Sequence, residues 1–215
     1  RLEQADSGEA LWHGRDLITM NARDLLGCRR EIQMVFQDPT QSLNPRMSVY
    51  QLVSEGWDIH KLMPDRRQRR ARVLELLEQV GLSPEHIDRY PHQFSGGQRQ
   101  RIAIARALAL EPELIICDEA VSALDVSIQA QVIALLDGLR KRLGISFLFI
   151  AHDLGVVRDF ADTVIVMKAG TIVERGPTAQ IFEAPQHPYT QRLLAANLHP
   201  DPDVQEKRRN SLAHG

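Results

Sequence analysis

A chain of 215 residues with 43% hydrophobic and 25% charged residues is long enough for one globular domain with a sub-lobe. Its formal net charge of −2 argues against nucleic acid or an anionic membrane as the main partner, and the basic run 66–70 is interpreted as one solvated helix face. Cys28 and Cys117 lie far apart, which argues against a disulfide framework. No apolar run approaches the roughly 20 residues that span a bilayer, and no secretory signal opens the sequence, so we expect a cytosolic protein.

The first part of the chain predicts short elements followed by a helical insertion. Periodic or alternating apolar residues, bounded by glycine, proline and asparagine, set the limits of these elements. They predict a hairpin at 9–12 and 16–18, a helix from Asn21 through Leu26, a strand at 31–36, a loop from Thr40, and helices from Val49 and at 66–80. Residues 46–93 are therefore expected to form an all-helical insertion between two strand-bearing segments.

The middle of the chain combines a glycine turn with a strand that ends in acids. The turn Ser95-Gly96-Gly97 opens a helix, so it presents backbone N–H groups and a positive dipole end that suit a phosphate. The run 114–119 predicts a buried parallel strand that ends in Asp118 and Glu119. Open α/β sheets bind ligands at the carboxyl ends of their strands. A turn that suits a phosphate is thus joined by one helix to a strand that ends in two acidic residues. This combination indicates nucleotide chemistry.

The last part of the chain alternates helices and strands. Its apolar runs and breakers predict a helix at 127–139, a buried strand at 145–150, a helix at 153–161, a hairpin at 163–167 and 171–174, and helices at 179–182 and 190–196. The polar tail from His199 is expected to be mobile.

Five segments, in this order, resemble motifs of the nucleotide-binding subunit of ATP-binding-cassette (ABC) transporters. They are Gln37 (the Q-loop), 94–98 (the signature, with Phe for the commoner Leu), 114–119 (Walker B and the following Glu), 122–125 (the D-loop) and His152 (the switch histidine). Two further segments, 36–45 and 187–190, resemble the dipeptide/oligopeptide importers. The resemblance covers nearly the whole chain. It implies an α/β, P-loop NTPase fold over 1–215, with a mostly parallel sheet, a helical subdomain at about 46–93 and a C-terminal extension at about 176–215.

One motif of the family is absent from these residues. No G-x-x-x-x-G-K-[ST] occurs in the sequence, and Arg1-Leu2-Glu3 resembles the end of the helix that follows this loop in the family. We expect that the N-terminal, phosphate-cradling part is missing, with truncation favoured over a natural degenerate subunit. A chain without that lysine and those backbone amides is expected to be inactive in isolation.

The resemblance also implies roles for individual residues around ATP and Mg²⁺. Its implied catalytic and metal-binding residues are Glu119 as the group that polarises water, His152 at the γ-phosphate, and Asp118 and Gln37 at Mg²⁺. Its implied nucleotide contacts, made to ATP held by another subunit, are Ser95, Gly96, Gly97, Gln98 and Asp125. The residues alone leave alternatives open: Ser95 as a plain helix cap, Asp125 as a favourable charge at a helix N-terminus, Gln37 as a loop-capping glutamine, His152 as a structural histidine, and 118–119 as a surface acid pair after a strand.

The implied function is ATP hydrolysis that powers import, with di- or oligopeptides as the expected cargo. The expected partners are a second ABC ATPase subunit, transmembrane permease subunits and, indirectly, a substrate-binding protein, at the cytoplasmic face of the membrane. One alternative is a non-hydrolysing subunit that completes a partner's ATP site. A soluble ABC protein of DNA repair or translation is disfavoured, because the sequence has neither a long coiled-coil insertion nor a basic surface.

Overall fold

The computed structural model describes residues 5–197, with side chains through Ala196. The chain divides into two compact units, Arg1–Ile150 and Ala151–Gly215. The elements of the first unit are β1 (Leu11–Trp12), β2 (Arg15–Asp16), α1 (Ala22–Glu31), β3 (Ile32–Val35), α2 (Pro39–Ser42), α3 (Val49–Ile59), α4 (Arg66–Gln79), 3₁₀ turns at Pro84–His86 and Pro91–Gln93, α5 (Gly96–Leu108), β4 (Leu114–Asp118), α6 (Val126–Leu143) and β5 (Ser146–Ile150). The predicted tail from His199 lies outside the described residues.

The predicted hairpin is confirmed, and the helix after it is longer than expected. His13 and Gly14 form the two-residue turn between β1 and β2, with φ of 48° and 73°. The side chain of Asn21 accepts a hydrogen bond from the Asp24 N–H at 3.0 Å, as expected of a cap. Helix α1 does not end at Leu26 but continues to Glu31, since a single internal glycine weakens a helix by only about 1 kcal/mol.

Three parallel strands form the sheet of the first unit, in the order β3-β4-β5. Val35, Ile115 and Cys117 lie on one face and are buried, and α5 packs against β3. Leu148 and Ile150 are 49% and 46% exposed, so the expectation of a fully buried strand at 145–150 is wrong. A continuous apolar run predicts a strand but does not specify which of its faces is covered.

Every regular element between residues 46 and 93 is helical, as predicted. The buried residues of α3 and α4 form its core: Val49, Leu52, Val53, Trp57, Val73, Leu76 and Leu77. The indole N–H of Trp57 donates to the carbonyl of Ala109 at 2.7 Å, in the segment directly after α5. This buried hydrogen bond and the apolar contacts attach the helical region to α5.

Two arginines of the basic run at the start of α4, Arg69 and Arg70, pair with acids of the same unit. The Arg70 guanidinium donates to both carboxylate oxygens of Asp88 at 3.1 and 2.8 Å, which raises the pKa of Arg70 and lowers that of Asp88. Arg69 pairs with Asp58, and Arg72, just after the run, with Glu75 and Glu111. Arg66, Arg67 and Arg70 are exposed, which agrees with the interpretation of the run as a solvated helix face.

Over its described residues, 151–197, the second unit has a hairpin and three helices. These are α7 (Leu154–Phe160), β6 (Thr163–Lys168), β7 (Thr171–Pro177), α8 (Thr178–Glu183) and α9 (Pro188–Asn197). Val164, Val166 and Ile181 form its buried core. The carboxylate of Glu174 on β7 accepts hydrogen bonds from the backbone N–H groups of Gln186 and His187, at 2.7 and 3.1 Å. These bonds hold the turn before α9, which begins at Pro188.

One short helix forms where a loop was predicted. Helix α2 begins at Pro39, and the side chain of Asp38 accepts a hydrogen bond from the Thr40 N–H at 2.7 Å. Proline at the first helical position and aspartate before it are a favourable helix start. A loop was expected because the four-residue helix is too short to show a periodic pattern.

We predict that this cap weakens as the pH falls below about 3.8, because a carboxylate accepts a stronger hydrogen bond than the neutral carboxyl group. The Thr40 N–H holds the pKa of Asp38 below its ordinary value of 3.8, so the cap stabilises α2 above that pH and weakens as the pH falls through the lowered pKa. Hydrogen-exchange protection of the Thr40 amide should fall over that range in the wild type. It should persist in Asp38→Asn, whose amide oxygen accepts the same bond without titrating. Equal pH dependence in both proteins would contradict this assignment.

Candidate functional site

The two predicted acids lie at the carboxyl end of β4, the central strand of the sheet. Asp118 is the last residue of β4, and the N–H of Glu119 donates to the carbonyl of Ile150 at 3.0 Å, which extends the pairing with β5. Glu119 has a φ of 46°, a left-handed conformation that costs a non-glycine residue on the order of 1 kcal/mol. The chain turns sharply here, so the two neighbouring carboxylates belong to differently oriented backbone positions.

A tight turn after β4 holds Glu119 in this conformation. The backbone N–H and the hydroxyl of Ser122 both donate to the carbonyl of Glu119, at 3.0 and 2.9 Å. The sequence placed Ser122 in a motif but gave it no role. The available signal was its position three residues after Glu119, because serine favours such local turns.

Gln37 lies beside this turn, because β3 and β4 are parallel and end at the same edge of the sheet. Its amide nitrogen donates to the Glu119 carboxylate at 2.7 Å and lies 3.4 Å from the Ser122 hydroxyl. The structure therefore brings together two predicted site residues that are 82 positions apart in the sequence.

The oxygen donors at this edge fit Mg²⁺. Carboxylate and amide oxygens are the ligands that this cation prefers, together with retained water molecules. Asp118 supplies a carboxylate and Gln37 a side-chain amide, whose nitrogen is turned toward Glu119. These residue types suit the predicted magnesium site.

The signature turn is a complete helix cap in this structure. The Ser95 hydroxyl accepts from the Gln98 N–H at 3.3 Å, and the Ser95 N–H donates to the Gln98 side chain at 3.0 Å. This reciprocal pair is a capping box, so the plain cap considered for Ser95 is present. Ser95 and Gly96 are exposed at the first turn of a 13-residue helix, where backbone N–H groups lack helical acceptors. The same turn is therefore suited to an anion.

The two glycines of this turn differ in what surrounds them. A Cβ atom at Gly97 would lie 2.5 Å from a methyl group of Ile128 on α6, so Gly97 permits the close approach of α5 and α6. A Cβ atom at Gly96 would lie 3.5 Å from Leu124, an ordinary contact. The signature turn thus packs beside the segment that leads to Asp125.

Asp125 occupies the N-cap position of α6, and its side chain is exposed. Within the described part of the chain its carboxylate makes no capping hydrogen bond. The Asp125 carboxylate is thus a charge at the N-terminus of α6, without a capping hydrogen bond in the described part of the chain.

His152 is exposed at a bend two residues after β5 ends, and the structure places it in the second unit. The next residue, Asp153, caps α7 through the Gly155 N–H at 2.8 Å.

A second polar cluster lies at the opposite end of β4. The His13 imidazole is 2.9 Å from the Glu113 carboxylate, and the Trp12 indole donates to Glu31 at 2.6 Å. The ligand atoms of His13, Glu31 and Glu113 lie within 4.8 Å of one another. Because Arg15 also approaches Glu31, at 3.7 Å, we interpret the cluster as ion pairs that attach the hairpin to the sheet.

Comparison with known proteins gives two matching family models and several similar proteins. Residues 1–122 match the family model described as ABC transporter, and residues 173–213 match the model described as Oligopeptide/dipeptide transporter, C-terminal region. The chain is 54% identical over 209 residues to the Oligopeptide transport ATP-binding protein OppF of Bacillus subtilis, covering 97% of this chain and 68% of that protein. It is 51% identical over 213 residues to the Glutathione import ATP-binding protein GsiA of Escherichia coli, covering 99% of this chain and 34% of that protein.

Solved structures support the fold. CbiO1 from Clostridium perfringens, described as part of the ABC transporter complex CbiONQ, matches 83% of this chain and 69% of its own at a TM-score of 0.74 and 32% identity. A dimeric, post-hydrolysis structure of the ATP-binding cassette MJ0796 bound to ADP and Pi matches 82% of this chain and 76% of its own, with a TM-score of 0.72 and 30% identity. The α/β fold with a parallel sheet and added helices is thus confirmed.

We predict that Gly97→Ala destabilises the protein while Gly96→Ala does not. The methyl group added at position 97 overpacks the contact with Ile128, at a cost of about 1–3 kcal/mol. The methyl group at position 96 meets only an ordinary contact and reduces the flexibility of the unfolded chain. Urea unfolding of both variants measures the difference. Equal stabilities would show that α6 does not require glycine at position 97.

Proposed function

The chain belongs to the ABC transporter family, and on that premise we propose that it is an ATP-hydrolysing subunit that powers import of di- or oligopeptides. The single structural observation that supports this most is the contact between Gln37 and Glu119 at the carboxyl edge of the parallel sheet, 2.7 Å in length. That edge is where open α/β sheets bind nucleotides. A carboxylate held there by an amide is a suitable group to orient a water molecule toward a phosphate.

The proposed chemistry is transfer of the γ-phosphoryl group of ATP to water. Bound Mg²⁺ would neutralise charge on the phosphate oxygens. Asp118 and the amide oxygen of Gln37 would hold that ion, and Glu119 would accept a hydrogen bond from the attacking water and orient it. His152 would donate a hydrogen bond to a γ-phosphate oxygen. Hydrolysis breaks the bond between the γ-phosphorus and the bridging oxygen and yields ADP and phosphate.

The signature turn is proposed to serve a nucleotide held by a second ABC subunit. Its exposed Ser95 and Gly96 and the adjoining Gly97 and Gln98 provide a hydroxyl and a helix N-terminus for the phosphates of that nucleotide. Asp125 follows Leu124, whose side chain lies 3.5 Å from the position of a Cβ atom at Gly96, and its proposed role is to relay contacts between two nucleotide sites. The proposed assembly contains two ATPase subunits, transmembrane permease subunits and, indirectly, a substrate-binding protein.

The proposed location is the cytoplasmic face of the membrane, attached through the permease subunits. Among residues 5–197, the structure has no helix with the length and apolarity needed to cross a bilayer. The peptide cargo is proposed from two similarities: the match of residues 173–213 to the oligopeptide/dipeptide transporter region, and the names of the oligopeptide and glutathione importers.

A second candidate function rests on the signature turn, whose Ser95 and Gly96 are exposed. These 215 residues contain no G-x-x-x-x-G-K-[ST], so we propose that this stretch alone does not hydrolyse ATP at an appreciable rate. In that case the signature turn would still complete the site of a partner subunit. Mixing the chain with a hydrolysing partner whose own signature serine is replaced would reveal this function as restored ATPase activity.

We predict that Glu119→Gln lowers steady-state ATP hydrolysis by about 100-fold or more in the assembled transporter. Glutamine keeps the shape of the side chain but cannot accept a proton, so ATP binding should be retained. The matched control is Glu113→Gln, because Glu113 lies at the other end of β4 and pairs with His13. Unchanged hydrolysis in Glu119→Gln would refute the role of this carboxylate.

A further inference from the structure

The short helix α2 begins two residues after Gln37 and is held by arginines of α5. A one-turn helix has little stability of its own, so its position depends on tertiary contacts. The guanidinium of Arg106 donates to the carbonyl of Ser42 at the last residue of α2, at 2.8 Å. Pro39 and Leu43, at the two ends of this segment, are buried. The segment after Gln37 is therefore attached to α5.

Arg106 is suited to this contact by its burial. Removal of water lowers the pKa of its guanidinium, an effect opposed by the nearby carboxylate of Glu55 on α3. A desolvated guanidinium makes stronger hydrogen bonds than an exposed one, and the carboxyl end of a helix favours a cation. Arg106 thus connects α5 to α2 and lies near an acid of α3.

A second arginine on the same face of α5 makes a parallel contact. Arg99 lies seven residues before Arg106, about two helical turns away. Its guanidinium donates to the Thr40 hydroxyl at 3.2 Å and to the carbonyl of Pro91 at 2.9 Å. Two arginines therefore hold the beginning and the end of α2 against the helix that starts at the signature turn.

We infer that Arg106, supported by Arg99, is a positioning residue for Gln37. By fixing α2 to α5, it holds the Gln37 amide at the distance from which it contacts Glu119. The inference rests on the proposed function, since it takes Glu119 as the group that orients water. It adds that displacement of the signature helix changes the Gln37–Glu119 contact, and so connects the turn that serves a partner's nucleotide to this chain's own acid.

A double-mutant cycle in the assembled transporter tests this inference. We expect Arg106→Met to lower kcat about tenfold with KM for ATP changed less than about twofold, because positioning of the water is affected rather than nucleotide binding. Arg106→Lys should restore part of the lost kcat, since its ammonium can reach a carbonyl with one donor. In a Gln37→Ala background the effect of Arg106→Met should fall below about twofold, as expected for two residues that act through one contact.

The matched control is Arg101→Met. Arg101 is another partly buried arginine of α5, but it donates to the carbonyl of Val80 at the end of α4, at 2.6 Å. The Arg101→Met substitution should change kcat by the same factor in the wild-type background and in the Gln37→Ala background. If Arg106→Met does not fold, Thr40→Val can replace it: this change removes the hydroxyl that Arg99 contacts, together with its hydrogen bond to the Asp38 carboxylate, and its effect on kcat should likewise fall below about twofold in the Gln37→Ala background.

Additive effects of Arg106→Met and Gln37→Ala would overturn the inference, as would equal changes in kcat and KM. The Glu119→Gln variant separates this failure from failure of the proposed function. If Glu119→Gln abolishes hydrolysis while the cycle is additive, only the positioning role of Arg106 is wrong. If Glu119→Gln retains full hydrolysis, the proposed role of Glu119 is wrong as well.

Discussion

The hydrogen bond between the Gln37 amide and the Glu119 carboxylate is the interaction on which the account of the site depends. It exists because β3 and β4 are parallel neighbours and their carboxyl ends meet at one edge. The left-handed conformation of Glu119 and the two bonds from Ser122 direct its carboxylate toward that edge. A strained residue stabilised by several local bonds is typical of a functional position rather than of a packing position.

Helix α5 connects this edge of the sheet to other elements of the first unit. Its first turn carries the signature glycines, its buried face packs on β3, and its arginines hold α2. Gly97 permits the approach of α6, so one glycine has a packing role in a turn that is also suited to phosphate. In the proposed function, these contacts would allow one helix both to serve a nucleotide site on another subunit and to support the acid of its own.

Much of this organisation could be predicted from the sequence, because long apolar periodicities and strand-end carboxylates are local signals. The helical region at 46–93, the hairpin turn at His13-Gly14 and the cap at Asn21 were predicted, although α1 extends five residues further than expected. The exposure of Leu148 and Ile150 on β5 was not predicted, because it depends on which elements cover the sheet. Helix α2 and the role of Ser122 were missed, since both depend on one or two hydrogen bonds rather than on a pattern.

The most direct test of the central claim is a structure of the assembled transporter that carries Glu119→Gln, determined with Mg²⁺ and ATP. We expect Asp118 and Gln37 of one subunit to face the Mg²⁺ of one nucleotide. We also expect Ser95 and Gly97 of the same subunit to contact the phosphates of a different nucleotide, which is held mainly by the second subunit. A single nucleotide that contacts Asp118 and Ser95 of the same subunit would contradict the account.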